Sequence, residues 1–140
     1  MEEQIKYTLG KTERLKSRKT IEQLFANGKS FSLFPFKVVY QKLTDVDKQK
    51  TTNGNLQVAF SVSKRNFKKA TDRNRIKRLM REAYRLQKNE LEKLLQQEKI
   101  QLSVFIIYTG NELPPYKTVT EKIAAMIKRL IKITNEKNAI

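Results

Sequence analysis

Between Lys64 and Lys88 eleven basic side chains stand against two acids, Asp72 and Glu82, so 25 residues carry +9 of the chain's formal charge of +16. The bases are Lys64, Arg65, Lys68, Lys69, Arg73, Arg75, Lys77, Arg78, Arg81, Arg85 and Lys88. On a helix that turns roughly 100° per residue, Ile76, Leu79, Met80, Ala83 and Tyr84 gather on one side, and Asn74, Lys77, Arg78, Arg81 and Arg85 on the other. A merely solvated helix face mixes signs, because like charges four residues apart repel by roughly 0.2–0.5 kcal/mol a pair. Here Arg73, Lys77, Arg81 and Arg85 repeat at that spacing with no acid between them on the stripe. Guanidinium forks grip phosphate oxygens in pairs and stack on bases, and Asn74 adds a donor and an acceptor beside them. The chemistry on offer is the grip of a polyphosphate.

Other chemistries lack their parts. The 140 residues contain neither His nor Cys, which removes the usual general base, the commonest metal ligand, thiolate metal sites and disulfides. Asp45 and Asp47 sit in a stretch rich in Lys and Thr, where a solvated loop explains them better than a metal site. No catalytic and no metal-ligating residue is therefore assigned. If the chain serves a reaction, it does so by positioning charge and substrate.

The ridge needs a frame, and 140 residues suffice for one domain with a modest core. Thr20 with Gln23 reads as a capping box for a short helix whose Ile21, Leu24 and Phe25 share a face, ending at Asn27-Gly28. Phe36 to Leu43 alternates as a strand, with Phe36, Val38 and Tyr40 toward the core and Lys37 and Val39 on the other face. Residues 44–55 form a hydrophilic loop with a turn at Asn53-Gly54, and Leu56 to Ser63 is a second strand, expected to pair with the first as a long hairpin. Helical spacing of apolar residues then runs from Thr71 to Leu95. Leu102 to Tyr108 is apolar on both faces, which predicts a central strand covered on both sides. After Pro114-Pro115 a last helix is expected from Thr118 or Thr120, with Glu121 completing a box on Thr118 and Ile123, Ile127, Leu130 and Ile131 on one face. Residues 1–13 and 135–140 are polar and expected to be flexible, leaving 14–134 as one α/β (α+β) layered domain. The N-terminal stretch lacks the apolar segment of a secretory signal and no run is long enough to span a membrane, so the expected setting is the cytoplasm.

SVSKRNFKKATDRNRIKRLMREAYR, residues 61–85, closely resembles the signature of bacterial ribonuclease P protein subunits: a strand, then a helix carrying Arg-Asn-Arg, Lys-Arg and Arg-Glu. RLKSRKTIEQLFANGKSF, residues 14–31, is similar to that family's first helix, and the element order matches over nearly the whole chain. The resemblance implies a two-layer sandwich with a left-handed crossover between parallel strands and a sheet of four strands, of which the sequence signals three. It implies a protein subunit of an endoribonuclease that removes the 5′ leader of precursor tRNA, with the chemistry carried by the RNA subunit and Mg2+ held mainly there. The implied partners are ribonuclease P RNA, one protein per RNA, and precursor tRNA, with no role at a membrane. Arg73, Asn74, Arg75, Lys77, Arg78, Arg81 and Arg85, with Lys64 and Arg65, would contact the catalytic RNA. Ile21, Phe25, Lys37 and Val39 would line a cleft for the single-stranded leader, where aromatic rings suit an unpaired, variable strand. Ile21 stands where many members carry an aromatic ring, leaving only apolar contact at that position.

Four other readings compete. A structural RNA-binding protein would use the same ridge but would not need Phe25 beside a sheet face. A self-sufficient nuclease lacks its His and its acidic cluster. A DNA-binding helix would want a helix-turn-helix pair or dimer symmetry, and neither is visible. Membrane binding would demand the apolar helix face that the core requires.

Overall fold

The computed structural model describes residues 18–43, 56–98 and 100–135 of the chain. The elements run α1 (Arg18–Asn27), β1 (Lys29–Leu33), β2 (Phe36–Leu43), β3 (Leu56–Val62), α2 (Ala70–Gln87), α3 (Asn89–Glu98), β4 (Gln101–Tyr108) and α4 (Tyr116–Asn135). The loop 44–55 with its expected turn and the acids Asp45 and Asp47 lie outside the described residues. So do the expected flexible segment 1–13 and all but Asn135 of the expected tail.

The sheet has the order β1-β2-β4-β3. β1 and β2 form an antiparallel hairpin, β2 is antiparallel to β4, and β3 runs parallel to β4. The fourth strand, which the sequence did not signal, is therefore β1. Its five residues, KSFSL, carry only Phe31 and Leu33 as an apolar alternation. The expected hairpin between β2 and β3 does not form, because β4 lies between them. β4 takes the central position expected of it, with Phe36↔Tyr108 on one side and Val62↔Tyr108 on the other. It is not covered on both faces throughout, because Phe105 and Ile107 on its second face stay half-buried.

One face of the sheet carries the main core. Phe36, Val38, Leu56, Val58, Val62, Leu102, Val104, Ile106 and Tyr108 meet Ile76, Met80, Ala83 and Tyr84 of α2, Leu91 and Leu95 of α3, and Ile123, Met126, Ile127 and Leu130 of α4. α2 packs over β3 and against α4, while Arg129 of α4 stacks over the Phe31 ring of β1 at 4.5 Å. The opposite face is partly covered by α1, where Leu24 and Val39 are buried with Ile21, Ala59 and Phe105 around them. The result is a mixed α+β sandwich with an extra short helix on its second face.

Three helix boundaries depart from expectation. α1 already runs at Arg18, so Thr20 lies inside its first turn rather than at a cap. α4 begins at Tyr116, with the Val119 amide donating to the Pro115 carbonyl at 3.2 Å, so Thr118 and Glu121 do not form the starting box. The long pattern from Thr71 to Leu95 is two helices joined at Lys88. Lys88 keeps helical angles (φ −75, ψ −20) and Glu92 N still donates to its carbonyl at 3.0 Å, so the apolar period passes through the break. The Lys88 side chain is fully buried, its Nζ 3.4 Å from Glu92, and does not belong to the basic ridge.

Gly28 turns the chain from α1 into β1, its amide donating to the Leu24 carbonyl at 2.8 Å. A methyl there would run into the backbone oxygens of Leu24 and Tyr40, neither of which can move as a side-chain tip can. Gly28→Ala is expected to destabilise the fold by ~1–3 kcal/mol, the usual range for overpacking. Denaturant unfolding should show a lower midpoint with an unchanged slope; an unaltered midpoint would mean α1 is not held by this close approach.

Candidate nucleic-acid interface

α2 buries Ile76, Met80, Ala83 and Tyr84, and that burial fixes the direction of everything opposite. Asn74, Arg75, Arg78 and Arg81 are exposed, and Arg73, Lys77 and Arg85 are half-buried along their stems. Leu79, expected on the apolar side, is half-buried against the core. Among the described residues, no side-chain hydrogen bond or ion pair engages Asn74, Arg75, Lys77, Arg78 or Arg81. These five, four cations and an amide, form the centre of the ridge and have no side-chain partner among the described residues.

The ends of the stripe are different. Arg73 folds back so that Nη1 donates to the carbonyls of Phe67 at 2.8 Å and Lys68 at 2.9 Å. It thereby ties the connection between β3 and α2 to the first turn of the helix, a role no spacing rule announced. Arg85 donates to both oxygens of Glu82 at 2.8 and 2.6 Å, the i,i+3 pairing and not the alternative with Arg78. Those hydrogen bonds hold the Glu82 carboxyl below the ordinary carboxylate range and raise the Arg85 guanidinium. With a depressed value on the acid, the pair is intact at neutral pH and lost only as pH falls through that lowered value. Arg85 is thus partly neutralised at the end of the stripe.

Lys64 and Arg65 are exposed on the turn that leaves β3, at the end of the sheet. That turn is pinned by Asn66, whose Nδ2 donates to the carbonyls of Thr109 at 3.2 Å and Gly110 at 3.1 Å. Its partners lie more than forty residues away, so no local pattern pointed to it.

The expected cleft residues gather on the other face of the sheet. Phe25 is 50% exposed and meets Phe105 edge-on, ring centroids 5.0 Å apart. Ile21 is half-buried beside Leu24, and Val39 is buried beneath α1 as part of the floor. Lys37, one row along β2, is exposed beside Ile107. The parity expected for β2 holds: Phe36 and Val38 enter the main core, Tyr40 packs against it, and Lys37 and Val39 face the side of α1. The ridge and this cluster around α1 therefore occupy opposite faces of the sheet, and β3 contributes to both, with Val58 beneath α2 and Ala59 beneath α1.

Among the described residues, no three His, Cys, Asp or Glu side chains come together as metal ligands. That part of the chain offers no cage of its own for a divalent ion. Nor is any helix among them long and apolar enough to cross a membrane.

A family model described as Ribonuclease P matches residues 9–131. A ribonuclease P protein component from Porphyromonas gingivalis is 39% identical over 127 residues, which cover 91% of this chain and 87% of that protein. Another, from Chlorobium phaeobacteroides, is 35% identical over 131 residues, 88% of each. The fold is shared with the solved RNase P protein of Thermotoga maritima, with a TM-score of 0.59 at 24% identity, covering 83% of this chain and 98% of that one. It is shared too with that of Staphylococcus aureus, at a TM-score of 0.52 and 21% identity, covering 90% and 98%.

The geometry separates Arg73 from its neighbours. Arg73→Ala removes two hydrogen bonds from a charged donor and should cost ~1–2 kcal/mol of stability, below the full range because the group is only half-buried. Arg75→Ala and Arg78→Ala, which break nothing internal, should stay within about 0.5 kcal/mol of the parent. Equal losses for all three in chemical denaturation would remove the bracing role of Arg73.

Proposed function

The chain belongs to the ribonuclease P protein family, and on that premise we propose that it is the protein subunit of the enzyme, assisting an RNA that cleaves the 5′ leader from precursor tRNA. The observation that carries this reading is the centre of the ridge: five polar and cationic side chains on one rigid helix with no partner inside the described protein. Charges left open in this way are a preformed site for a phosphate backbone, and each phosphate they neutralise releases condensed counterions.

The proposed division of labour follows from the two faces. Asn74, Arg75, Lys77, Arg78 and Arg81, with Lys64 and Arg65 on the adjoining turn, meet the catalytic RNA. Arg73 and Arg85 contribute whatever donors their internal bonds leave over. On the opposite face, Phe25 offers half its ring to an unpaired leader base, Ile21 adds apolar contact, Lys37 meets a phosphate and Val39 supports the floor. Base–aromatic stacking tolerates any sequence because every base has a π-face, which suits a leader of variable composition. Hydrolysis and Mg2+ binding belong to the RNA in this reading, since the described residues supply neither a general base of the usual kind nor a metal cage. The protein raises local cation density and holds the substrate, so that the RNA and its ions dock productively. One copy of the chain per RNA and work in the cytoplasm complete the reading.

Two measurements test it. Log–log plots of affinity for a bacterial ribonuclease P RNA against salt should lose about one unit of slope for Arg75→Ala and again for Arg78→Ala. Unchanged slopes in both would remove the ridge from the RNA contact. In the assembled complex, Phe25→Ala should weaken binding of leader-bearing precursor by roughly 1 kcal/mol or more while leaving mature tRNA unaffected. An equal loss for both substrates would return Phe25 to a packing role.

A further inference from the structure

Phe34 is the most exposed large apolar side chain among the described residues, with 76% of its surface open. It occupies, with Pro35, the two-residue turn between β1 and β2. The two residues are joined by a cis peptide bond, which makes this a proline turn, and the ring it presents lies outside the core.

The turn that presents it is anchored. The Pro35 carbonyl accepts from the Thr109 amide at 2.8 Å and from Thr109 Oγ1 at 3.0 Å. Thr109 and Gly110 in turn accept from Asn66, so the Phe34 turn, the end of β4 and the Lys64–Asn66 turn are laced together. Gly110 lies against the Tyr108 ring with no room for a side chain, and the Tyr108 hydroxyl donates to the Glu112 carbonyl at 2.6 Å. The register sets Phe36, Tyr108 and Val62 abreast, so the turns bearing Phe34 and Lys64–Arg65 flank β4 from its two neighbours. Two strand spacings separate those neighbours, roughly 10 Å.

The adjoining row of the sheet, on the face that α1 occupies, is Ser32, Lys37, Ile107 and Ser61. α1 rests one row farther on, over Val39, Phe105 and Ala59, and leaves this strip uncovered: Ser32 and Lys37 are exposed, Ile107 and Ser61 half-buried. The strip thus begins beside Phe105, where Phe25 sits, and ends at the turn that holds Phe34. Exposed cations border it at Lys37, Lys64 and Arg65, while Glu112 is the single acid on the three laced turns.

We propose that Phe34 is a second base-stacking platform, where an unpaired nucleotide of the precursor's 5′ leader lands after crossing the strip from Phe25, with Lys37 meeting a flanking phosphate and the positive field of Lys64 and Arg65 favouring the strand's approach. This rests on the leader-binding reading of the Phe25 pocket and extends it to a position the pocket does not include. A ring fixed on an anchored turn loses little freedom when a base stacks on it, which is what makes such a position effective. The cations around it match a phosphate backbone, and an apolar protein partner would leave them buried and unpaired.

The chain contains no Trp, so a single introduced indole reports on one position. Phe34→Trp and Phe25→Trp variants would each be assembled with a bacterial ribonuclease P RNA. Each would then be titrated with precursor tRNA bearing a 5′ leader, and separately with the same tRNA lacking it. Quenching of both indoles by the leader-bearing substrate alone is the expected result, together with a loss of about tenfold in precursor affinity for Phe34→Ala. Quenching at position 25 without quenching at 34 overturns the Phe34 platform and leaves the pocket intact. Silence at both positions removes the leader pocket and the platform with it. Quenching of the position-34 indole by the catalytic RNA before substrate is added overturns the assignment to the leader, since the stacked base would then come from the enzyme's own RNA.

Discussion

Like charges one helical turn apart repel, and α2 holds Lys77 and Arg81 in that relation with no acid joined to either among the described residues. Each such pair costs a few tenths of a kcal/mol. Burying Ile76 and Met80 in the main core stabilises by roughly 1.5–3 kcal/mol apiece. Burial wins by a wide margin, and that surplus is what permits the helix to carry an unopposed cationic face. The arrangement also fixes where the charge points, because a helix with one face committed to a core cannot rotate to dilute the other.

The rest of the molecule can be read as support for that helix and its surroundings. Arg73 and Asn66 brace the connection that leads into it, one to the Phe67 and Lys68 carbonyls and the other to the end of β4. Lys88 and Glu92 close its far end inside the protein. β3 takes part in both faces, so a nucleic acid held by α2 and a strand held beside α1 would approach from opposite sides of one sheet.

Much of this was legible in the sequence where one local pattern settled the matter. The apolar stripe of α2, the alternation of β2 and the two-sided apolarity of β4 each specify a face or a position, and the structure has all three. What escaped was pairing and bracing. A central β4 and a β2–β3 hairpin cannot both hold in a sheet of three strands, so the two expectations were in conflict, and the first had the physical warrant. Twelve residues between those strands impose no turn geometry that would force them together. β1 was missed because five residues with two apolar side chains, Phe31 and Leu33, give too little periodicity, and its place depends on pairing with β2. The break at Lys88 left no mark because its backbone stays helical. The donors of Arg73 and Asn66 were invisible because their partners are carbonyls, which every residue supplies.

The central claim is that the chain contributes charge and placement to a reaction that RNA performs. Cleavage of precursor tRNA by a bacterial ribonuclease P RNA at low magnesium, with and without this protein, tests it most directly. The account predicts 5′ leader removal that needs both components, with the protein alone inactive and the RNA alone nearly so under those conditions. Tight binding to the RNA with no stimulation of cleavage, repeated across several ribonuclease P RNAs, would contradict it.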